Sequence, residues 1–524
     1  MTGPECRRAP MVTPESTTQG TTDGTPPMQR RQLRVVVVAI MLCSALGSLD
    51  LTIVSTAAPT IVGELHGVPW LSWLFTVYII VSGITTPLYG KLADLYGSRR
   101  LYIFAISAFL LGSALSGLAQ SMPQLIAFRA VQGVGAGGIT VLTMTVIGEI
   151  VPLRDRGRFM GMFGAVLGGG AVAGPLLGGV LTDQLTWRWI FYINLPLGLI
   201  ALVAIVRALK PPPRAAGGPV DYLGFVLLAA ATAAITLVTS WGGGRYAWSS
   251  PVIVVLGAAS AVLLVLFVLR ERVAPEPLVP LRMFRARTVT FANLGNVAVH
   301  TWATVIGAFL PMFVQFAIGF NATNSGLLQL PIIAALMLVS AVGGGLITRW
   351  RRYKWAPVLG TALGVGSLVL FAGMTPHTSA WLVVVYMAVF GIAIGLCMQP
   401  LMLAIQATAP REDLGAATAT GTFSQRIGGS VGFAALAAFF STRLDAELTR
   451  RLPADTAATV PRDGSIAPAQ IDALDAPLRA ALRAVFADTI SDVFVWTIPV
   501  VALGFVCCLL LKDVRLDDDI EVDM

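Results

Sequence analysis

The 524-residue chain has little charge: Asp, Glu, Lys and Arg make up 12% of it, against 56% hydrophobic residues. A water-soluble domain carries about 25% charged residues, and a soluble chain of this length would split into several domains, each with a polar surface. Histidine is scarcer still. His66, His300 and His377 are the whole set, which argues against a multi-histidine metal site. The five cysteines, Cys6, Cys43, Cys397, Cys507 and Cys508, have the spacing of neither a disulfide framework nor a zinc site. No Gly-x-x-x-x-Gly-Lys-Ser/Thr loop is present to cradle phosphates and no His-Glu-x-x-His pair to hold a catalytic metal, so an ATP-driven pump and an intramembrane metalloprotease are both disfavoured. The sequence reads as no enzyme and implies no cofactor. Its net charge of +8 comes without a basic face interleaved with aromatics, so nucleic acid is not an expected partner.

What is abundant is apolar sequence, with a mean hydropathy of +0.77. It falls in blocks of about 20 residues, the length at which a helix crosses the hydrocarbon of a bilayer. Fourteen spans are predicted: 35–57, 70–90, 101–120, 124–148, 160–182, 188–208, 222–241, 251–270, 288–316, 325–348, 356–374, 380–405, 415–440 and 492–511. Nothing alternates with the two-residue period of a membrane β-barrel, so the expected fold class is an all-α polytopic membrane protein. Residues 1–32, rich in Thr, Pro, Gly and Gln, are expected to form a disordered tail. The apolar block after them is too long for a signal peptide and contains Asp50, so it should be the first span.

An even number of spans puts both termini on one side. Of the 36 basic residues, 26 fall on that side and 8 on the other, six of those 8 in the long 441–491 segment. Long segments cross regardless of charge, so the bias predicts cytoplasmic termini. The expected location is the plasma membrane.

Three segments then carry patterns beyond hydropathy. After the second span comes Gly90-Lys-Leu-Ala-Asp94-Leu-Tyr-Gly97-Ser-Arg99-Arg100, a turn with an acid and three bases. The fourth span opens Arg129-Ala-Val-Gln132-Gly133-Val-Gly135. An arginine inside a span must face a partner or a water-filled cavity, and Gln132 lies one turn on, on the same face. The fifth contains Gly170, Gly174, Pro175, Gly178 and Gly179, a spacing that lets helices pack closely, with a proline bend.

In these segments the chain resembles the major facilitator superfamily, being similar to its motifs A, B and C, the last typical of antiporters. Leu49-Asp50-Leu-Thr-Ile53-Val54, Trp187-Arg188-Trp189 through Asn194-Leu-Pro196-Leu-Gly198, and Ser424-Gln425-Arg426-Ile-Gly428-Gly429 are similar to the fourteen-helix drug:proton antiporter branch. The resemblance runs from about residue 33 to 511. It implies two six-helix bundles, 33–208 and 288–511, facing each other across a central cavity, with two extra helices and their linkers in 209–287 and a cytoplasmic tail at 512–524. It also implies alternating access by rocking of the bundles. The counterpart of motif A in the second half, Gly345 to Arg352, lacks the acid, so a gating latch should rest on Gly90, Asp94, Gly97, Arg99 and Arg100.

Candidate site residues follow. Asp50 is an intramembrane acid, a site for a proton or a cationic substrate by default, with a structural hydrogen bond between helices as the alternative. Arg129, with Gln132, matches a position to which the family assigns proton coupling; a structural arginine holding helix carbonyls is the competing reading. Arg426 is balanced between the same two roles. Asn293, Asn296, His300 and Thr304 share one face of the ninth span, which lines the cavity in the family, with hydrogen bonds to neighbouring helices as the equal alternative, and Gln399 in the twelfth could join them. The expected function is proton-coupled efflux of small lipophilic cationic compounds by a monomer in the bilayer. Export of one endogenous product, such as an antibiotic, a lipid or a siderophore, is the alternative on the same fold.

Overall fold

The computed structural model describes residues 30–66, 70–210, 219–243, 245–320, 325, 327–451 and 475–516. The expected tail is outside these residues apart from its last three positions, which are helical. Most of the 209–218 linker, the centre of the 441–491 segment and the end of the C-terminal tail also lie outside them. Among the described residues, fourteen helices are long and apolar enough to cross a membrane.

The first bundle holds α1 (Arg30–Glu64), α2 (Leu71–Tyr96), α3 (Ser98–Gly117), α4 (Met122–Ile150), α5 (Leu153–Gln184) and α6 (Asn194–Ala208), the last preceded by a single turn at Trp189–Tyr192. The extra pair is α7 (Tyr222–Trp241) and α8 (Pro251–Glu271). The second bundle begins with α9 (Arg287–Phe313), α10 (Leu330–Trp350), α11 (Trp355–Ala372) and α12 (Ala380–Thr408). Its thirteenth span is composite: α13 (Leu414–Ile427) runs through a wide turn at Gly428–Gly432 into α14 (Phe433–Arg451), and α15 (Ala476–Leu509) closes the fold.

Local chemistry explains where several helices begin. On the face opposite the termini, α4, α8 and α12 each follow a serine, Ser121, Ser250 and Ser379, whose hydroxyl accepts from the backbone amide three residues on. That partner satisfies one of the orphan donors of a first turn. Between α2 and α3 the chain reverses at Gly97, whose φ of 88° is a conformation that suits glycine alone among common residues.

The core divides as expected of two bundles. One set of buried side chains joins Met283 through Leu516, including Trp302, Phe309 and Phe494. Two more are drawn almost wholly from 36–209. The extra pair packs on α2, with a small core of Leu228, Phe267, Leu278 and Val279.

Two expectations need correction. The thirteenth span does not stop at 440, nor does the fourteenth start at 492: α14 reaches Arg451 and α15 begins at Ala476. Hydropathy missed these turns because they carry charge. Their charges pair across the two helices, Arg443 with Asp492 at 2.7 Å and Arg451 with Asp488 at 2.6 Å, while Leu444 and Leu448 join Leu482, Val485 and Phe486 in one core. The stretch 476–488, part of the expected 441–491 segment between spans, is thus the first part of α15.

Candidate functional site

Asp50 sits midway along α1, where a side chain has no access to water. It is 0% exposed, as are Arg129 and Gln132 of α4 and Asn194 of α6. A buried carboxylate must be paired and hydrogen-bonded, and this one is. Arg129 Nη1 lies 2.5 Å from Asp50 Oδ2. Gln132 Nε2 donates to Oδ1 at 2.7 Å, and Asn194 Nδ2 stands 3.4 Å from the same oxygen. Arg129 Nη1 also donates to Gln132 Oε1 at 2.8 Å. Ser113 of α3 closes the cluster, accepting from Asn194 at 2.8 Å and donating to the Phe191 carbonyl at 3.0 Å. The other side of Arg129 is an aromatic face: its guanidinium carbon is 4.1 Å from the centre of the Tyr78 ring on α2. Two guanidinium nitrogens, Nε and Nη2, have no hydrogen-bond partner. Such a pair is weak support for stability, since desolvation offsets its Coulombic gain.

The glycines of the fifth span place α1 beside this cluster. A side chain on Gly170 would meet Ser48, one on Gly174 would meet Thr52, and one on Gly178 would meet Ile53 and Thr56. Ser48 donates to the Leu167 carbonyl at 2.8 Å and Thr52 to that of Gly170 at 3.2 Å. Pro175 is exposed and Gly179 faces open space, so only part of the predicted motif makes this contact.

A cavity of about 710 Å³ opens between the bundles. Ser72 and Thr76 of α2 line it, with His300 and Thr304 of α9, Gln425 and Arg426 of α13, and Phe433 of α14. It reaches Thr239 and Ser240 at the end of α7, and so runs toward the face opposite the termini. Of the predicted residues, Arg426 and His300 are therefore in the wall. Asn293 and Asn296 are not: they tie α9 to α13, accepting from Ser424 at 2.8 Å and from Gln425 at 3.5 Å. Gln399 of α12 lies beside Gly164 in the seam between the bundles. Asp50 is not among the wall residues.

One wall was not foreseen. Thr232, Thr236, Thr239 and Ser240 of α7 line the cavity, and Ser240 shares a 2.9 Å hydrogen bond with Thr76. Their spacing of 4, 3 and 1 marks one helix face, a signal present in the sequence. Asn194, by contrast, is 144 positions from Asp50, and no local pattern joins them.

On the face bearing the termini the bundles are closed. Asp94 Oδ1 accepts from the Gly415 amide at 2.8 Å and Oδ2 from that of Ala416 at 2.7 Å. The carboxylate thus caps the positive N-terminal end of α13. Gly90 permits this approach, because a side chain there would sit 2.6 Å from the Gly415 carbonyl. Of the predicted latch bases, Arg99 donates to the Val206 carbonyl of α6 at 2.5 Å and Arg100 is exposed. The second half repeats the arrangement with weaker chemistry. Gly344 packs on Gly157 and Gly161 of α5, and Thr348 accepts from the Arg158 amide at 3.0 Å. Here a hydroxyl stands where Asp94 stands in the first half. The 272–286 linker spans both sides, through Lys91–Glu276 at 2.6 Å and Arg282–Asp413 at 2.8 Å. Asp413 holds the Arg282 guanidinium above its ordinary pKa.

The family model of the Major Facilitator Superfamily matches residues 40–433. Over 494 residues the chain is 39% identical to an uncharacterized MFS-type transporter of Mycobacterium tuberculosis (strain ATCC 25618 / H37Rv), covering 94% of this chain and 71% of that one. It is 36% identical over 420 residues to the multidrug transporter protein MdtP of Bacillus subtilis (strain 168), covering 80% and 77% respectively. Among solved structures, the proton:xylose symporter XylE aligns with a TM-score of 0.59 at 13% identity, over 93% of this chain and 97% of that one.

Proposed function

The chain belongs to the major facilitator superfamily, and on that premise we propose that it is a proton-coupled exporter of small lipophilic compounds, working by alternating access in the plasma membrane. It is a transporter of a family with multidrug efflux relatives, not an enzyme. The positive-inside bias makes the closed, terminal face cytoplasmic. The cavity then faces outward in this conformation, with Asp94 on the α13 N-terminus holding the inner side shut. Residues 33–208 and 288–511 are the two moving units.

The observation that carries the coupling is the sealed Asp50–Arg129 pair. A proton arriving at Asp50 neutralises the charge that Arg129 answers. The guanidinium then loses its counter-ion and must turn elsewhere, and its next neighbour is Tyr78 of α2. One turn further along that helix, Ser82 accepts from Arg426 at 3.4 Å, and Arg426 is in the cavity wall. Protonation and substrate thus act on one stretch of α2 from opposite sides. The expected preference for cations rested on Asp50 as a substrate acid. Since Asp50 is held by Arg129 behind the wall, it acts as the proton site instead.

The test is transport by the protein in liposomes holding a trapped pH-sensitive dye, under an imposed proton gradient, with a panel of lipophilic acids, neutral compounds and cations. Substrate-evoked proton movement in wild type that disappears in Asp50→Asn supports the reading. Proton movement that survives Asp50→Asn would move the proton site elsewhere, and none with any compound would overturn proton antiport.

A further inference from the structure

We propose that the cavity selects amphiphilic organic anions, with Arg426 pairing the substrate's carboxylate. The inference deepens the exporter reading and rests on it, since it takes this cavity to be the transport site.

Among the described residues lining the cavity, none is Asp or Glu, and Arg426 is the one full charge. The remaining polar groups are chiefly hydroxyls, including Thr76, Thr140, Thr236 and Thr304, with the imidazole of His300. The hydroxyls of Thr140, Thr236 and Thr304 donate to carbonyls of their own helices, and His300 Nδ1 lies 3.0 Å from the Asn296 carbonyl, so these groups supply no counter-charge for a cation and leave the charge preference to Arg426. Arg426 itself is half-buried at the end of α13, where the helix gives way to the Gly428–Gly432 turn. Its hydrogen bond is to the neutral Ser82 hydroxyl, a long contact at 3.4 Å.

The contrast with Arg129 is the core of the argument. Both are intramembrane arginines. Arg129 is 0% exposed, with its charge answered by Asp50 and a second hydrogen bond to Gln132. Among the described residues, no carboxylate pairs with Arg426, which faces an open space large enough for a ligand. A guanidinium in a weakly polar site gains most from a planar anion it can bind in a fork, and a cation brought there would meet like charge. Phe75, Ile79, Ile235, Phe423 and Phe433 supply the apolar wall for the body of the substrate.

The test needs one scaffold in three charge states: 1-naphthylacetate, its methyl ester and 1-naphthylmethylammonium. Binding to the purified full chain and efflux from proteoliposomes are both measured. Wild type should bind the acid about tenfold more tightly than the ester, the gain of one charge-assisted hydrogen-bonded contact, and should disfavour the ammonium. Arg426→Gln should erase the difference between acid and ester, while Arg426→Lys keeps most of it. The wild-type series needs no variant, so misfolding of Arg426→Gln leaves the proposal testable. If the ester or the ammonium binds and is exported as well as the acid, the anion proposal is overturned and the exporter reading stands. If none of the three binds while other lipophilic compounds are exported, the anion proposal again falls alone. If no compound of any charge is transported, both readings fall.

Discussion

Tyr78 and Ser82 stand one turn apart on α2, and each meets a different arginine: the ring of Tyr78 lies 4.1 Å from Arg129 of the first bundle, and the hydroxyl of Ser82 accepts from Arg426 of the second. A single helical turn therefore separates the carboxylate that would take the proton from the cavity that would take the substrate. If this turn links them, the aromatic face matters and the phenol does not. Tyr78→Phe should transport with unchanged proton coupling. Tyr78→Leu removes a cation–π contact worth about 1–2 kcal/mol when desolvated. It should lower the protons moved per substrate while substrate affinity shifts by less than about threefold. Parallel dye and substrate flux measurements give that ratio.

The buried pair makes a prediction about stability. Removing one partner strands the other's charge, at a loss of about 3–5 kcal/mol, whereas removing both is far milder. Arg129→Gln should therefore melt well below wild type. The double variant Asp50→Asn/Arg129→Gln should recover most of the lost Tm and none of the proton movement. Thermal unfolding in detergent reads the first effect and the dye assay the second. A double variant no more stable than Arg129→Gln alone would show that the pair is not the unit described.

Closure at the terminal face rests on an acid, so Asp94→Ala should loosen it. Two backbone amides lose their acceptor, an effect of about 1–3 kcal/mol on the closed state. Leu414, which is 4% exposed and packs against Gly148, supplies the reporter. In a cysteine-free background, Leu414→Cys should react with an impermeant maleimide from the terminal face several-fold faster when Asp94 is Ala. Thr348→Ala, which removes only one hydroxyl acceptor from the matching seam, should have the smaller effect.

The glycine-rich fifth span separates contact from composition. Gly174→Val places atoms against Thr52 and the Ile53 amide, and overpacking of this kind typically costs about 1–3 kcal/mol. Gly179→Ala meets nothing and should stay within about 0.5 kcal/mol of wild type. Expression level and Tm, measured for both, should split accordingly.

Much of this fold was legible in the sequence because lipid imposes one period and one length. The fourteen blocks, the extra pair at 222–241 and 251–270, and the acid at Asp94 were all visible there. So was the nearness of Arg129 and Gln132, which needs only helical spacing. The pairing of Asp50 with Arg129 and Asn194 was not visible, since it depends on how α1, α4 and α6 meet. The placing of Asn293 and Asn296 stayed open for a related reason: a polar helix face is the same in sequence whether it meets a cavity or another helix. The charged turns of α14 and α15 escaped because hydropathy stops reporting where ion pairs take over.

The cavity's α7 wall has one further implication. A helix that belongs to neither bundle cannot move with both. Its own strap, the 272–286 segment, is fastened to the first bundle at Lys91 and to the second at Asp413. If the halves part on that side, as the proposed alternating access requires, at least one fastening must let go, while α7 keeps its packing on α2 and its Ser240–Thr76 hydrogen bond. On the proposed rocking of two moving units, the strap is then a third element carried between them, and the chamber's shape on the inward stroke depends on which of two ion pairs holds, each with one buried partner, Lys91 or Asp413.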